Sequence, residues 1–120
     1  MKIALTSTGK ELTSEMDPRF GRAAYFIFVD PETLEYEAVE NSENVNVAQG
    51  AGIQAGKAIV EKGAEVLITG FCGPKAFKVL ESSGIKTIVG VKGRVKDVIE
   101  NYKSGKYKET KAPNVDGHWG

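Results

Sequence analysis

The sequence is poor in the residues from which most catalytic and metal sites are built. Its 120 residues hold one cysteine and one histidine. A lone thiol, Cys72, cannot close an intrachain disulfide and points to a reducing compartment rather than secretion. Neither a C-x-x-C nor an H-x-x-x-H spacing exists, so a zinc site has no scaffold. One Cys cannot complete a four-thiolate iron–sulfur site either. The sole histidine, His118, sits beside Trp119 near the C-terminus and reads as a solvated residue, so no Ser–His–Asp set forms. No apolar run reaches the about 18 residues of a membrane span. The opening MKIALTSTGKEL has too few apolar residues for a secretion signal. Lys+Arg and Asp+Glu are both 16, giving a formal net charge of zero, which excludes bulk attraction to nucleic acid or anionic membranes. These absences together predict a soluble, cytoplasmic protein with no membrane or nucleic-acid partner.

What is present is an ordinary globular composition, 41% hydrophobic and 27% charged, enough for one buried core. Lys2–Thr8 reads as a buried strand. A stretch from Gly9 to about Arg22 shows no periodicity, and loops of that length are often functional. Ala24–Val29 (AYFIFV) has the aromatic and β-branched character of a strand. It turns at Asp30-Pro31 into Leu34–Val39, whose alternating Glu residues suit an exposed edge. Glu40–Asn46 is polar and turn-rich. From about Val47 to Lys62 the spacing of Ala51, Ala55, Ala58 and Ile59 predicts a helix. Gly50, Gly52 and Gly56 weaken that helix, so close packing on a sheet or a ligand must compensate. Strands follow at Ala64–Thr69 and Ile85–Val89. Helices begin at Pro74 and near Val95, and end at Gly84 and Gly105. Lys106–Gly120 is expected to be a mobile tail.

With the first, fourth and fifth strands parallel and the second reversed, four connections share the rim at the carboxyl ends: Gly9–Arg22, Glu40–Asn46, Gly70–Pro74 and Gly90–Arg94. Ligands of open α/β sheets bind on that rim. Three helices start there, so N–H groups and positive dipole ends face it. Arg19, Arg22, Lys92 and Arg94 add charge, and Gly70, Gly73, Gly90 and Gly93 allow close backbone approach. Cys72, at a helix start, is placed where thiolate is favoured. The expected site is an anion receptor with one soft ligand.

Each motif also has a plainer reading. Asp17-Pro18-Arg19-Phe20-Gly21-Arg22 is either a two-Arg grip on an anion or a turn closed by an Asp–Arg pair. Cys72 is either a metal ligand or a small buried hydrophobe. Gly50–Gly56 departs from G-x-G-x-x-G and follows an edge strand, so a nicotinamide site is rejected. A two-metal nuclease needs clustered carboxylates, which the first and fourth strands lack.

Taken in order, the strings MKIALTST (1–8), DPRFGRA (17–23), FIFVD (26–30), GAGIQAGKAIVE (50–61), LITGFCGPKAF (67–77), GIK (84–86) and VKGRV (91–95) resemble the dinitrogenase iron–molybdenum cofactor biosynthesis family. These are small stand-alone proteins related to nitrogenase accessory carriers. The resemblance implies a ribonuclease-H-like three-layer α/β/α fold with a five-stranded mixed sheet, order 3-2-1-4-5, strand two antiparallel. It implies a single cofactor-binding domain over residues 1–105, with residues 106–120 as a flexible tail. It further implies a non-enzymatic metal-cluster carrier for iron–molybdenum cofactor or an iron–sulfur precursor, exchanging with cluster donor or acceptor proteins. The positions carried over are Asp17, Arg19, Phe20, Gly21, Arg22, Gly70, Cys72, Gly73 and Arg94, with Cys72 as the candidate metal ligand. Many relatives have His where this chain has Arg19; the departure removes a ligand and leaves an electrostatic grip. The alternatives are a module for another small anion, a nucleotide or phosphate metabolite, and a metal-dependent nuclease.

Overall fold

A computed structural model describes residues 1–41 and 50–114. Five strands, β1 (Ile3–Ser7), β2 (Tyr25–Val29), β3 (Tyr36–Glu40), β4 (Val66–Ile68) and β5 (Lys86–Ile88), form one sheet in the order β3-β2-β1-β4-β5. β1 pairs in parallel with β4, and β4 with β5. β2 runs antiparallel to both β1 and β3. The helices are α1 (Ala51–Glu61), α2 (Pro74–Ser82) and α3 (Val95–Lys103). This is the fold that the family resemblance implies. The helix expected from about Val47 starts at Ala51; residues 47–49 lie outside the described set, as do 42–46 of the polar loop.

The pleat divides the core into two. Ala4, Phe26, Phe28 and Leu67 point to one face and pack with Ala55 and Ile59 of α1 and Ala76, Phe77 and Leu80 of α2. Ile3, Leu5, Ile27, Val29, Val66, Ile68 and Ile88 point to the other face, against Val95, Val98 and Ile99 of α3. β1 lies in the middle, apolar on both faces and wholly buried. Burying side chains such as Leu67 or Ile68 contributes about 2 kcal/mol each, so the sheet centre anchors the fold. Gly56 of α1 finds the expected compensation in packing, since a Cβ there would come 3.1 Å from Cγ1 of Val79 on α2, whereas Gly50, with φ of 84°, only starts the helix in open space.

The edges are handled differently. β3 is largely exposed; Glu37 meets Lys62 at 2.9 Å, and a charged edge resists pairing with a second sheet. β5 is covered by the segment that was expected to be mobile. Over its described part, residues 106–114, that segment is tied down: Thr110 donates its N–H to the carbonyl of Thr87, and Thr110 Oγ1 accepts the N–H of Val89. The reason is the unpaired backbone that β5 offers, which composition does not reveal.

Candidate functional site

Loops at the carboxyl ends of the strands are welded to one another. The segment after β1 pairs back on Ser7 through Met16, and Glu15 pairs with Arg94. Met16 donates to the carbonyl of Gly93. Arg19 pairs with Phe71; Phe71 donates to the Pro18 carbonyl at 2.6 Å, and Phe20 to the Phe71 carbonyl at 3.1 Å. Gly90 donates to the carbonyl of Gly70. Three loops distant in sequence thus make one continuous rim, as the topology requires.

Buried polar side chains concentrate here. The buried polar residues are Thr6, Ser7, Asp17, Asn41, Thr69 and Thr87, and all but Thr87 belong to this end. Thr6 Oγ1 donates to the Asp17 carbonyl at 2.8 Å and shares a 2.9 Å hydrogen bond with Thr69 Oγ1. Among the described residues, no buried side-chain nitrogen or oxygen lacks a partner. Such a network costs desolvation and rewards it only when every member is paired; here it fixes loop positions.

The residues singled out in the sequence divide into two kinds. Asp17 is 4% exposed and closes its own loop: Oδ1 accepts the N–H of Arg19 at 3.0 Å and Oδ2 that of Ala24 at 3.1 Å. Its carboxylate lies 3.6 Å from Arg19 Nε. The plainer reading of the string, a turn closed by an Asp–Arg pair, therefore describes Asp17. Phe20 is fully buried and stacks obliquely on Phe26, ring centroids 5.9 Å apart. The carbonyl of Gly21 accepts Asn41 Nδ2 at 3.1 Å. Gly70 approaches backbone rather than ligand: a Cβ there would lie 2.6 Å from the Pro18 oxygen. Positive charge on the rim comes from the guanidinium of Arg19, nearly half exposed, from half-buried Arg22 and from exposed Lys92 and Arg94, to which the structure adds exposed Lys75.

Two expectations are corrected. Cys72 does not present a thiolate. Its side chain is fully buried with Phe20, Ala23 and Ala76, and burial pushes the thiol up to about 12. Desolvation outweighs the helix start, because Sγ turns into the core instead of along the helix axis. Nor do three helix starts open on the rim. The first N–H groups of α3 are taken by the chain itself, Val95 by the Ser14 carbonyl and Lys96 by that of Leu12. α2 keeps the expected character: Gly73 precedes it without a side-chain cap, Pro74 begins it, and its first turn has no acidic residue.

Sequence reasoning passed over two asparagines. Asn41 binds the carbonyls of Gly21 and Ala23, bracing the Arg22 segment from the end of β3. Asn114 binds the Gly70–Cys72 loop: Oδ1 accepts the Cys72 N–H at 2.9 Å and Nδ2 donates to the Gly70 carbonyl at 2.9 Å. Asn is a common backbone mimic in loops, but nothing local marks such distant targets. Among the described residues, no three of His, Cys, Asp and Glu group closely enough to hold a metal ion.

Comparison with known proteins adds the family. The family model described as dinitrogenase iron–molybdenum cofactor matches residues 1–105. The apo form of the orange protein from Desulfovibrio gigas is 39% identical, with a TM-score of 0.92, over 95% of this chain and 96% of that one. An NMR structure from Thermotoga, described in terms of NifB, is 34% identical, with a TM-score of 0.81, over 97% and 98% of the two chains. An uncharacterized protein of Methanocaldococcus jannaschii is 30% identical over 91% of each chain.

Proposed function

The chain belongs to the dinitrogenase iron–molybdenum cofactor family, and from that premise we propose that it is a non-catalytic carrier of a preassembled anionic metal–sulfur cluster. The cargo rests on the carboxyl rim, against Arg19, Arg22 and Arg94 and the uncapped start of α2. One observation carries this reading: the buried polar network spends its hydrogen bonds on holding cationic loop segments at a single edge. The similarity to an orange protein described in its apo form, hence a protein with a ligand to lose, supports it.

The donor set decides what kind of cargo fits. With the one thiol protonated and buried, the described residues offer no set of ligands on which a cluster would be assembled. They offer guanidinium and amide N–H donors, which suit a cluster that brings its own sulfides and a negative charge. Such a cluster supplies the colour and the metal; the protein supplies counter-charge and shape. Binding of this kind is reversible and weakens as salt screens the exposed arginines.

The test is anaerobic incubation of the full chain with isolated iron–molybdenum cofactor or a synthetic [4Fe–4S] cluster, followed by gel filtration. Co-elution of chromophore and metal is expected. Arg22→Ala with Arg94→Ala should lower retention about tenfold or more, the equivalent of about 1.4 kcal/mol, and raised salt should act in the same direction. Equal retention by the variant contradicts the reading. Thermal stabilisation by a nucleotide or phosphate metabolite, with none by clusters, would assign the rim to a different anion instead.

A further inference from the structure

The carrier reading leaves the segment after α3 unused, although it is tied to the rim. After Lys106, whose N–H still caps α3 at the Asn101 carbonyl, the chain makes three successive attachments. Tyr107 packs beneath α3 and its hydroxyl accepts Asn101 Nδ2 at 3.3 Å. Thr110 joins the edge of β5 through its own N–H and through Oγ1. Asn114 reaches the Gly70–Cys72 loop with its side chain and also donates its N–H to the Cys72 carbonyl at 3.3 Å. Residues 108, 109, 111 and 112–114 are themselves exposed. The segment is therefore held by few hydrogen bonds and little apolar burial, the signature of an element that opens before the core does.

Its last attachment is the consequential one. The Gly70–Cys72 backbone that Asn114 grips is the same backbone that pairs with Pro18, Arg19 and Phe20. It also leads directly into Gly73 and the start of α2. Asn114 Oδ1 takes the N–H of Cys72, a donor on that loop, as an acceptor on a ligand would.

We propose that residues 106–114 form a clasp that closes over the Gly70–Cys72 loop, so that release of the clasp loosens the rim and, through the loop backbone, the seat of Cys72. Asn114 is then a positioning residue for the rim, acting through the loop. The clasp deepens the carrier reading by giving it a device for admitting and discharging cargo, and its local mechanics can be measured without any cargo.

The experiment is amide hydrogen exchange by NMR on the full chain, with alkylation of Cys72 by iodoacetamide in parallel. Asn114→Ala removes the acceptor of the Cys72 N–H directly, so faster exchange there is expected for any role. Thr110→Val is the decisive variant, because it loosens the middle of the segment and leaves Asn114 in place. If the segment moves as one clasp, Thr110→Val raises exchange at the Cys72 N–H and the alkylation rate about fivefold, while amides of β1 and β4 keep their protection. No change at Cys72 in Thr110→Val overturns the proposal, and so does a uniform loss of protection across the sheet. Uptake of a synthetic [4Fe–4S] cluster is then timed: faster uptake by both variants supports gating, and unchanged uptake refutes it. A cluster that neither wild type nor variant retains contradicts the carrier reading alone, and the exchange result still decides the clasp.

Discussion

The two ends of the sheet are built with different emphasis. At the amino ends the chain turns back by local chemistry. α1 and α2 both stop with a left-handed glycine, Gly63 and Gly84, each with φ of 77°. Both endings carry the same pair of bonds: Gly63 and Ala64 donate to Val60 and Ile59, and Gly84 and Ile85 to Glu81 and Leu80. The β2–β3 turn is closed by Asp30 and Glu35 within one short stretch. At the carboxyl ends local bonds, such as those of Asp17 within its own loop, are joined by long-range ones between loops. Thr6 meets Thr69, Pro18 meets Phe71, Ser14 meets Val95, and Cys72 meets Asn114. An end that only reverses the chain can use short turns. An end that must hold several segments in mutual register needs buried, long-range hydrogen bonds, and that is where a ligand site belongs.

The sharpest way to break this contrast is at Gly70. Its missing Cβ is replaced by Pro18 backbone, which lies 2.6 to 3.1 Å from where the carbon would stand. Backbone cannot rotate away as a side chain can. Gly70→Ala is expected to cost about 3 kcal/mol or more in urea unfolding and to disturb amides as far away as Arg19. Gly84→Ala, at the other end, meets open space and should cost only about 1 kcal/mol through its positive φ.

The next effect depends on pH. The Cys72 thiol is raised from 9.0 to about 12, so the folded state keeps a proton that the unfolded chain releases. Its contribution is complete below about pH 9 and is lost as pH climbs toward 12. Near pH 10.5 the wild type should have lost about 2 kcal/mol relative to its value at neutral pH. Cys72→Ala, measured by urea unfolding at both pH values, should lack that part of the decline. Parallel curves would mean that the thiol is not shielded by the rim.

The smallest effect lies at the amino end. Leu34 has φ of 64°, a left-handed conformation for a bulky residue, and it is 42% exposed. Leu34→Gly relieves that strain and is expected to stabilise by about 0.5 to 1 kcal/mol. Thermal unfolding checks it, and no change at the rim should accompany it.

The same contrast explains how much could be read from the sequence. The strand at Ala24–Val29, Pro74 at a helix start, the helix beginning near Val95 and the stops at Gly84 and Gly105 are local signals. Each has its counterpart in the structure. Topology alone also brought the connections at 9–22, 70–74 and 90–94 to one rim; the fourth, 40–46, lies mostly outside the described residues. What it could not supply is the direction of side chains at that rim. Asp17 turns inward to its own backbone, Cys72 drops into the core, and carbonyls of the first loop cap α3. The inward turn of Asp17 is a choice between two local partners that the string itself left open. The last two outcomes depend on residues distant in sequence, which no local pattern encodes. The anchoring of Thr110 on β5 and of Asn114 on the Cys72 loop was invisible for the same reason.

The most direct test of the account is where a paramagnetic cluster sits. Isotope-labelled full chain, titrated anaerobically with a synthetic [4Fe–4S] cluster, should lose amide NMR signals at residues 17–22, 70–75 and 92–95, while those at 30–35 and 63–65 stay sharp. Broadening centred on the second set, or spread evenly over the chain, would contradict it.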